Sequence, residues 1–327
     1  MRTEARFPEI PAGRGHYESF YVKAAAPEGG RAVWIRQTLH RRPGQPATCA
    51  IWLTFFDAAR PPAALKQQHA EGEMEFPEDV YLRVSGSEIG PGHVHGEVST
   101  EDSTAQWDLT FEDQHDALHH LPRERMYDAS LPRTKLLSPH PGALFSGLLE
   151  LDGERIQLNR WPGMVGHNWG SEHADTWVWL HGAGFGDDGS GFLDIGAGRI
   201  RIGPLRSPWI GNGMLALDGE RHRLGGLRPR SSTIDPEPGR CVFTARGDGV
   251  HVRGMATAPL DRTVGWEYAD PAGGTHHSLN CSIADMTLQV SRDGRPDITL
   301  TVDGAAAYEL GTGDAGHGIP IQPFGDG

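Results

Sequence analysis

The chain has 327 residues, 37% of them hydrophobic and 22% charged, ample for two ordinary domains or one large β architecture. A formal net charge of −13 excludes the basic face that phosphate neutralisation needs, so nucleic acid is not an expected partner. The 44 glycines and 24 prolines sit poorly in helices, and nine Trp, eleven Phe and six Tyr argue against disorder, leaving turn-rich all-β structure.

The opening residues MRTEARFPEIPAG lack the apolar run of a signal peptide, and no stretch approaches the ~20 apolar residues of a membrane span. A cytoplasmic location is expected, with peripheral membrane contact left open. Strand-type runs begin at 16–24, 31–40 and 47–57. In the second, Trp34, Arg36 and Thr38 alternate with Val33, Ile35, Gln37 and Leu39, as in a half-exposed strand. Residues 62–73 read as the best helix, with Pro62 near its start and Gly72 near its end. Strand runs resume at 94–100 and 105–112. The His-, Pro- and Arg-rich stretch 113–141 has no sustained period and reads as a long surface connection or lid.

Further strand runs span 144–151, 176–185, 191–202, 213–224, 240–245, 250–258, 264–269, 277–290 and 297–302. Asp-Gly pairs at 152–153, 188–189, 218–219, 248–249, 293–294 and 303–304 suit tight hairpin turns. The segment GLLELDGER from Gly147 is echoed by GMLALDGER from Gly213. Residues 311–327 read as a flexible, glycine-rich tail. This many strands need closure or stacking, which favours barrels or a sandwich. Cys49, Cys241 and Cys281 are far apart and suggest no disulfide framework.

The most informative stretch is WPGMVGHNWGSEHADTWVWLH, residues 161–181. Trp177 and Trp179 share one face of a strand, and His181 continues it. An aromatic wall beside imidazoles and carboxylates suits an apolar ligand whose reacting atom needs a proton, and a Trp face can stabilise positive charge on carbon. The plainer alternative is that the tryptophans fill a core while the polar residues alternate outward. Elsewhere, Ser146 and Ser171 lack a nucleophile elbow. Gly182, Gly184 and Gly186 do not make a dinucleotide fingerprint. His93 with His95, or His115, His119 and His120 on a helix, could ligate a metal, but neither set has clear partners, so no metal site is assigned. His276, His277 and Asn280 could line a second cavity, though a plain strand explains them better.

Gly166-His167-Asn168-Trp169-Gly170, followed by Trp177-x-Trp179, resembles the central signature of a superfamily. It contains carotenoid 1,2-hydratases (hydroxyneurosporene synthase), AttH-like proteins and, more remotely, tocopherol cyclase and lipocalin-like Diels–Alderases. The run from Phe145-Ser146-Gly147 to Asp152-Gly153 resembles the hairpin preceding that signature, and Glu18-Ser19-Phe20-Tyr21 sits where a WY-type strand is common. The resemblance implies two tandem lipocalin-like (calycin) β-barrel or half-barrel domains, residues 1–165 and 166–310, meeting near the HNWG segment around an apolar pocket. It implies no cofactor. His167, Trp169 and Asp194 become the expected catalytic residues, with Asp194 as proton donor to an alkene and Trp169 as the cation-stabilising face. Phe192 stands where the family carries tyrosine, which removes a hydroxyl. Asn168, Glu172, Trp177, Trp179, His181 and Phe192 are the expected substrate contacts. The expected ligand is a hydrophobic isoprenoid- or polyketide-like molecule undergoing hydration, cyclisation or isomerisation. The alternative is a non-catalytic carrier using the same cavity.

Overall fold

The structure is a computed structural model that describes residues 3–186, 189–202, 205–227 and 231–325. Asp188 of the expected 188–189 turn lies outside the described residues. The first sheet takes β1 (His16–Ala25), β2 (Arg31–Arg41), β3 (Thr48–Asp57) and β4 (Arg60–Ala70). Short strands β5 (Met74–Glu75), β6 (Leu82–Val84) and β7 (Ser87–Gly90) follow, then β8 (His93–Ser99), β9 (Thr104–Glu112) and β10 (Leu118–His119). Two long strands complete it, β11 (Thr134–Leu151) and β12 (Glu154–Gly170).

The second sheet begins with β13 (Thr176–Phe185) and β14 (Gly191–Arg199); a separate ribbon, β15 (Arg201–Ile202) and β16 (Leu205–Arg206), interrupts it. It continues through β17 (Ile210–Leu217), β18 (Glu220–Gly225), β19 (Ser232–Glu237) and β20 (Arg240–Gly247). Then come β21 (Val250–Thr257), β22 (Val264–Ala269), β23 (Thr275–Arg292) and β24 (Ile298–Thr312). Among the described residues, helix is confined to four three-residue 3-10 turns.

Both sheets are antiparallel and curl nearly closed. The first has the order β4-β3-β2-β1-β12-β11-β9-β8-β7-β6-β5, and β4 comes back against β8, where Ser99 N donates to Gln67 Oε1 at 3.2 Å. The second has the order β18-β17-β14-β13-β24-β23-β21-β20-β19, and Gly211 N at one side donates to Ser232 Oγ at the other, 3.1 Å away. Closure hides the edge groups that an open meander of this length would expose. The expectation of tandem all-β barrels holds. Phe20, Val22, Ile35, Leu53, Leu109, Phe145 and Val165 fill the first barrel, while Val178, Leu180, Leu193, Leu215, Phe243 and Leu288 are core residues of the second. Each such side chain contributes about 1.5–3 kcal/mol on leaving water.

The hairpin turns explain part of the glycine load. Asp152-Gly153 (φ 51° and 82°) and Asp218-Gly219 (54° and 74°) hold both central residues at positive φ, the hand that matches strand twist. The GLLELDGER and GMLALDGER echoes are therefore equivalent hairpins, β11–β12 and β17–β18. Asp303-Gly304 is not a turn. It lies inside β24, where Gly304 at φ 61° presents its carbonyl to Gly30 N at 2.8 Å.

The helix expected at 62–73 is instead strand β4 continued by a single 3-10 turn, Glu71–Glu73. β4 is the last strand of its sheet, and a register shift between Phe55 and Asp57 falls opposite Pro61 and Pro62. A proline without N–H costs little on such an edge. The helix that would have grouped His115, His119 and His120 is also absent, because β10 occupies 118–119. Trp34, Arg36 and Thr38 are buried rather than half-exposed: that face of β2 turns toward the second barrel, where Trp266 meets Trp34 and Trp52 at 6.4 and 5.0 Å. Beyond β24, Ile319 is buried, Gln322 N donates to Gly265 O at 2.9 Å, and Lys66 Nζ donates to Gly325 O at 2.5 Å.

Candidate active site between the two sheets

Strand alternation sorts the residues of β1 and β12 onto two faces. Paired residues share a face, so Phe20 and His167 point into the first barrel with Val22 and Val165. Tyr21, Lys23, Met164 and Asn168 belong to the opposite face. There Tyr21 and Met164 pack with Trp179 and Ala307 of the second sheet. Gly166 is required at this contact, since a Cβ would sit 2.1 Å from the Tyr21 ring.

In the second sheet, Trp177, Trp179 and His181 on β13 pair with Gly198, Gly196 and Asp194 on β14, which puts all six on the face toward the first sheet. Asp194 has no exposed surface. Ser138 Oγ donates to its Oδ2 at 2.6 Å and Trp179 Nε1 donates to its Oδ1 at 3.1 Å. His120 Nε2 stands 3.1 Å from Ser138 Oγ and 3.4 Å from Asp194 Oδ2. Burial alone would push this carboxyl up; His120 beside it, with His181 and the Ser138 hydroxyl, holds it below the ordinary aspartate value.

His181 is held neutral. Burial and the nearby Lys23 lower it to about 4, and its Nε2–H donates to Pro141 O at 3.0 Å. Lys23 is itself fully buried and donates to Ala305 O at 2.5 Å; desolvation pulls its amine down to about 7.

His120 Nδ1 faces Asn212 O at 3.2 Å, a carbonyl that can only accept, so Nδ1 carries a hydrogen. Nε2 then faces Ser138 Oγ and Asp194 Oδ2, and the single hydroxyl hydrogen of Ser138 can serve only one of its two neighbours. Whichever it serves, the last contact is favourable only with one more proton, on Nε2 or on the carboxyl. His120, Ser138 and Asp194 form one buried chain of polar contacts that can hold one extra proton.

The other expected residues fall into separate groups. His167 Nε2 donates to Glu18 Oε1 at 2.7 Å and stacks on Phe20 (3.9 Å) and Trp169 (4.4 Å). Trp169 also stacks on Tyr127. Glu18 accepts from Arg6 N and Phe7 N as well, tying the first 3-10 turn to β1. Trp177 Nε1 donates to Glu309 Oε1 at 2.8 Å, and Glu172 pairs with Arg133 at the surface. Asn168 is half-buried on the face of β12 opposite to His167, and among the described residues its Oδ1 has no hydrogen-bond partner. Phe192 packs with Leu118, Met214 and Ala216, and His115 meets it edge-on at 4.9 Å. Two surface depressions, one lined by Ser85, His95, Trp107 and Asp108 and the other by His251, Arg253, Gln289 and Asp297, contain none of these residues.

The residues that sequence reasoning did not join to Asp194 are Ser138 and His120. Both come from 113–141, the aperiodic stretch. Arg223 fastens it: one guanidinium nitrogen donates to the carbonyls of His119, His120 and Leu121 at 2.7, 3.2 and 3.0 Å.

Two nearly closed antiparallel barrels in tandem, with a buried polar layer between them, define a two-barrel, lipocalin-like protein. The same fold occurs in an AttH protein of Nitrosomonas europaea, with a TM-score of 0.54 and 16% identity over 91% of this chain and 92% of that one. It occurs too in kievitone hydratase from Nectria haematococca, with a TM-score of 0.51 and 10% identity over 91% of this chain and 89% of that one. The resemblance to AttH-like proteins read from the HNWG stretch is borne out at the level of fold. By sequence, the uncharacterized protein Rv0493c of Mycobacterium tuberculosis (strain ATCC 25618 / H37Rv) is 25% identical over 324 residues, covering 94% of this chain and 93% of its own length. The uncharacterized protein MT0513 of strain CDC 1551 / Oshkosh matches equally. No family model matches the chain.

Proposed function

We propose that this chain binds an apolar, unsaturated small molecule in the layer between its barrels and adds water across a double bond by acid assistance. The observation that carries the reading is the buried contact chain His120–Ser138–Asp194 against the Trp179 indole, which can hold one shared proton. The proton passes to one alkene carbon, the other carbon becomes cationic beside an indole face, water attacks it, and the water's extra proton returns to the His120–Asp194 pair. His181, neutral and bonded to Pro141 O, holds the strand pairing beside Asp194 without competing for that proton. The hydroxyl missing at Phe192 is supplied to Asp194 by Ser138.

Because Asp194 is fully covered, a ligand reaches it only by a local opening beside Phe192, where Leu118 and His115 rest, with His120 staying in place. The two-barrel fold shared with kievitone hydratase supports the reaction class. The test is incubation with kievitone and with an acyclic carotenoid in 18O-labelled water, followed by mass spectrometry. The reading expects a product heavier by one labelled water from at least one of the two. Tight binding of both in native mass spectrometry without any labelled product would overturn it in favour of the carrier reading.

A further inference from the structure

A second polar cluster sits apart from Asp194, where the connection between the sheets crosses the second barrel. His173 lies in that connection, Asp270 just after β22, and His276 on β23. One ligand atom from each comes within 4.8 Å of the others. His173 Nδ1 is 2.7 Å from Asp270 Oδ1, and His276 Nδ1 is 3.4 Å from Asp270 Oδ2. Asp270 and His173 are buried at the side chain, at 7% and 8% exposure. Tyr17 stacks on His173 at 3.9 Å, and Trp177 and Tyr268 lie 5.6 and 5.7 Å from it, so aromatic rings wall the cluster.

Hydrogen bonding within the protein leaves this cluster incomplete. His173 Nδ1–H serves Asp270 Oδ1, but His276 Nδ1 is buried with no hydrogen-bond partner among the described residues. One tautomer sets its lone pair against a carboxylate oxygen; the other sets its N–H too far away for a good bond. A cation between the two would satisfy both atoms at once. Two imidazoles and one carboxylate on three separate segments are a donor set for a zinc-class divalent ion, with one coordination position left for water.

We infer that His173, Asp270 and His276 form a binding site for one divalent transition-metal ion, which fastens the connection between the sheets to β23. The probe is Co2+, titrated into the EDTA-treated full chain and followed by visible absorption. One equivalent should saturate ligand-field bands, and Zn2+ should bleach them. Asp270→Asn and His276→Gln, each checked for fold by near-ultraviolet circular dichroism, should weaken binding more than about tenfold. His95→Gln, at an exposed histidine of the first sheet, should leave it unchanged. Absence of a saturable one-to-one band in the wild-type chain overturns the site. So does binding that survives either substitution in a folded variant, and the wild-type titration decides alone if a variant unfolds.

Discussion

The HNWG end of β12 and the Asp194 layer both bury an imidazole against a carboxylate, yet they are built to opposite ends. In the first, His167 gives one hydrogen to Glu18, whose remaining capacity is taken by Arg6 N, Phe7 N and the nearby His16, 3.7 Å away. Burial lowers His167, and its Nδ1 has no hydrogen-bond partner, so the ring is a neutral single donor. Glu18 is pushed up by burial but pulled harder by these donors, to about 2. That arrangement makes Glu18 a multiply bonded acceptor with no proton to pass on. Around Asp194, three groups compete for hydrogens and can hold one extra proton. A multiply bonded pair anchors a chain segment; a pair that can share a proton can do chemistry.

Substitutions should separate the two regions. Asp194→Asn removes the acceptor of the shared proton and should lower turnover by about 100-fold or more, as loss of a general acid–base group does, while leaving the fold intact. Glu18→Gln should act on stability instead. Breaking a buried, multiply bonded pair costs on the order of 3 kcal/mol, measurable by urea denaturation, with turnover per folded molecule little changed.

The same pair fixes an acid limb. A carboxyl lowered in the folded state stabilises it fully above the unfolded value of 4.5, and that stability is lost as pH falls toward about 2. Denaturation midpoints of the wild-type chain should therefore drop below pH 4.5, and the drop should be smaller in Glu18→Gln. Gly166→Ala, at the contact joining the two regions, forces a methyl against the Tyr21 ring and should cost about 1–3 kcal/mol.

Lys23 gives the smallest effect, and its removal should stabilise the chain rather than destabilise it. Its amine titrates near 10.5 when unfolded and near 7 when folded, so unfolding takes up a proton between those values and stability rises with pH across that window. Lys23→Met should flatten the slope and stabilise the chain at neutral pH by on the order of 1–2 kcal/mol.

Much of the fold was legible because its turns are chemical. Asp152-Gly153 and Asp218-Gly219 announce positive φ, and the alternation of Phe20 with Tyr21 announces two faces. Residues 62–73 misled because good helix formers fill a sheet edge, where prolines and polar side chains cost little. In the candidate site, Trp179, His181 and Asp194 could be read from their own strands. Ser138 and His120 could not, since they reach Asp194 across 56 and 74 residues from a stretch with no periodicity. The concentration of histidines in 113–120 was the available signal, but only the fold joins it to a carboxylate.

We assign the chemistry to Asp194 between the barrels and not to the Glu18–His167 pair inside the first. The most direct test is 18O incorporation from labelled water into kievitone or an acyclic carotenoid, compared per folded molecule between Asp194→Asn and Glu18→Gln. Incorporation should fall about 100-fold or more in Asp194→Asn and stay within a few-fold of wild type in Glu18→Gln. Wild-type incorporation by Asp194→Asn would contradict this assignment.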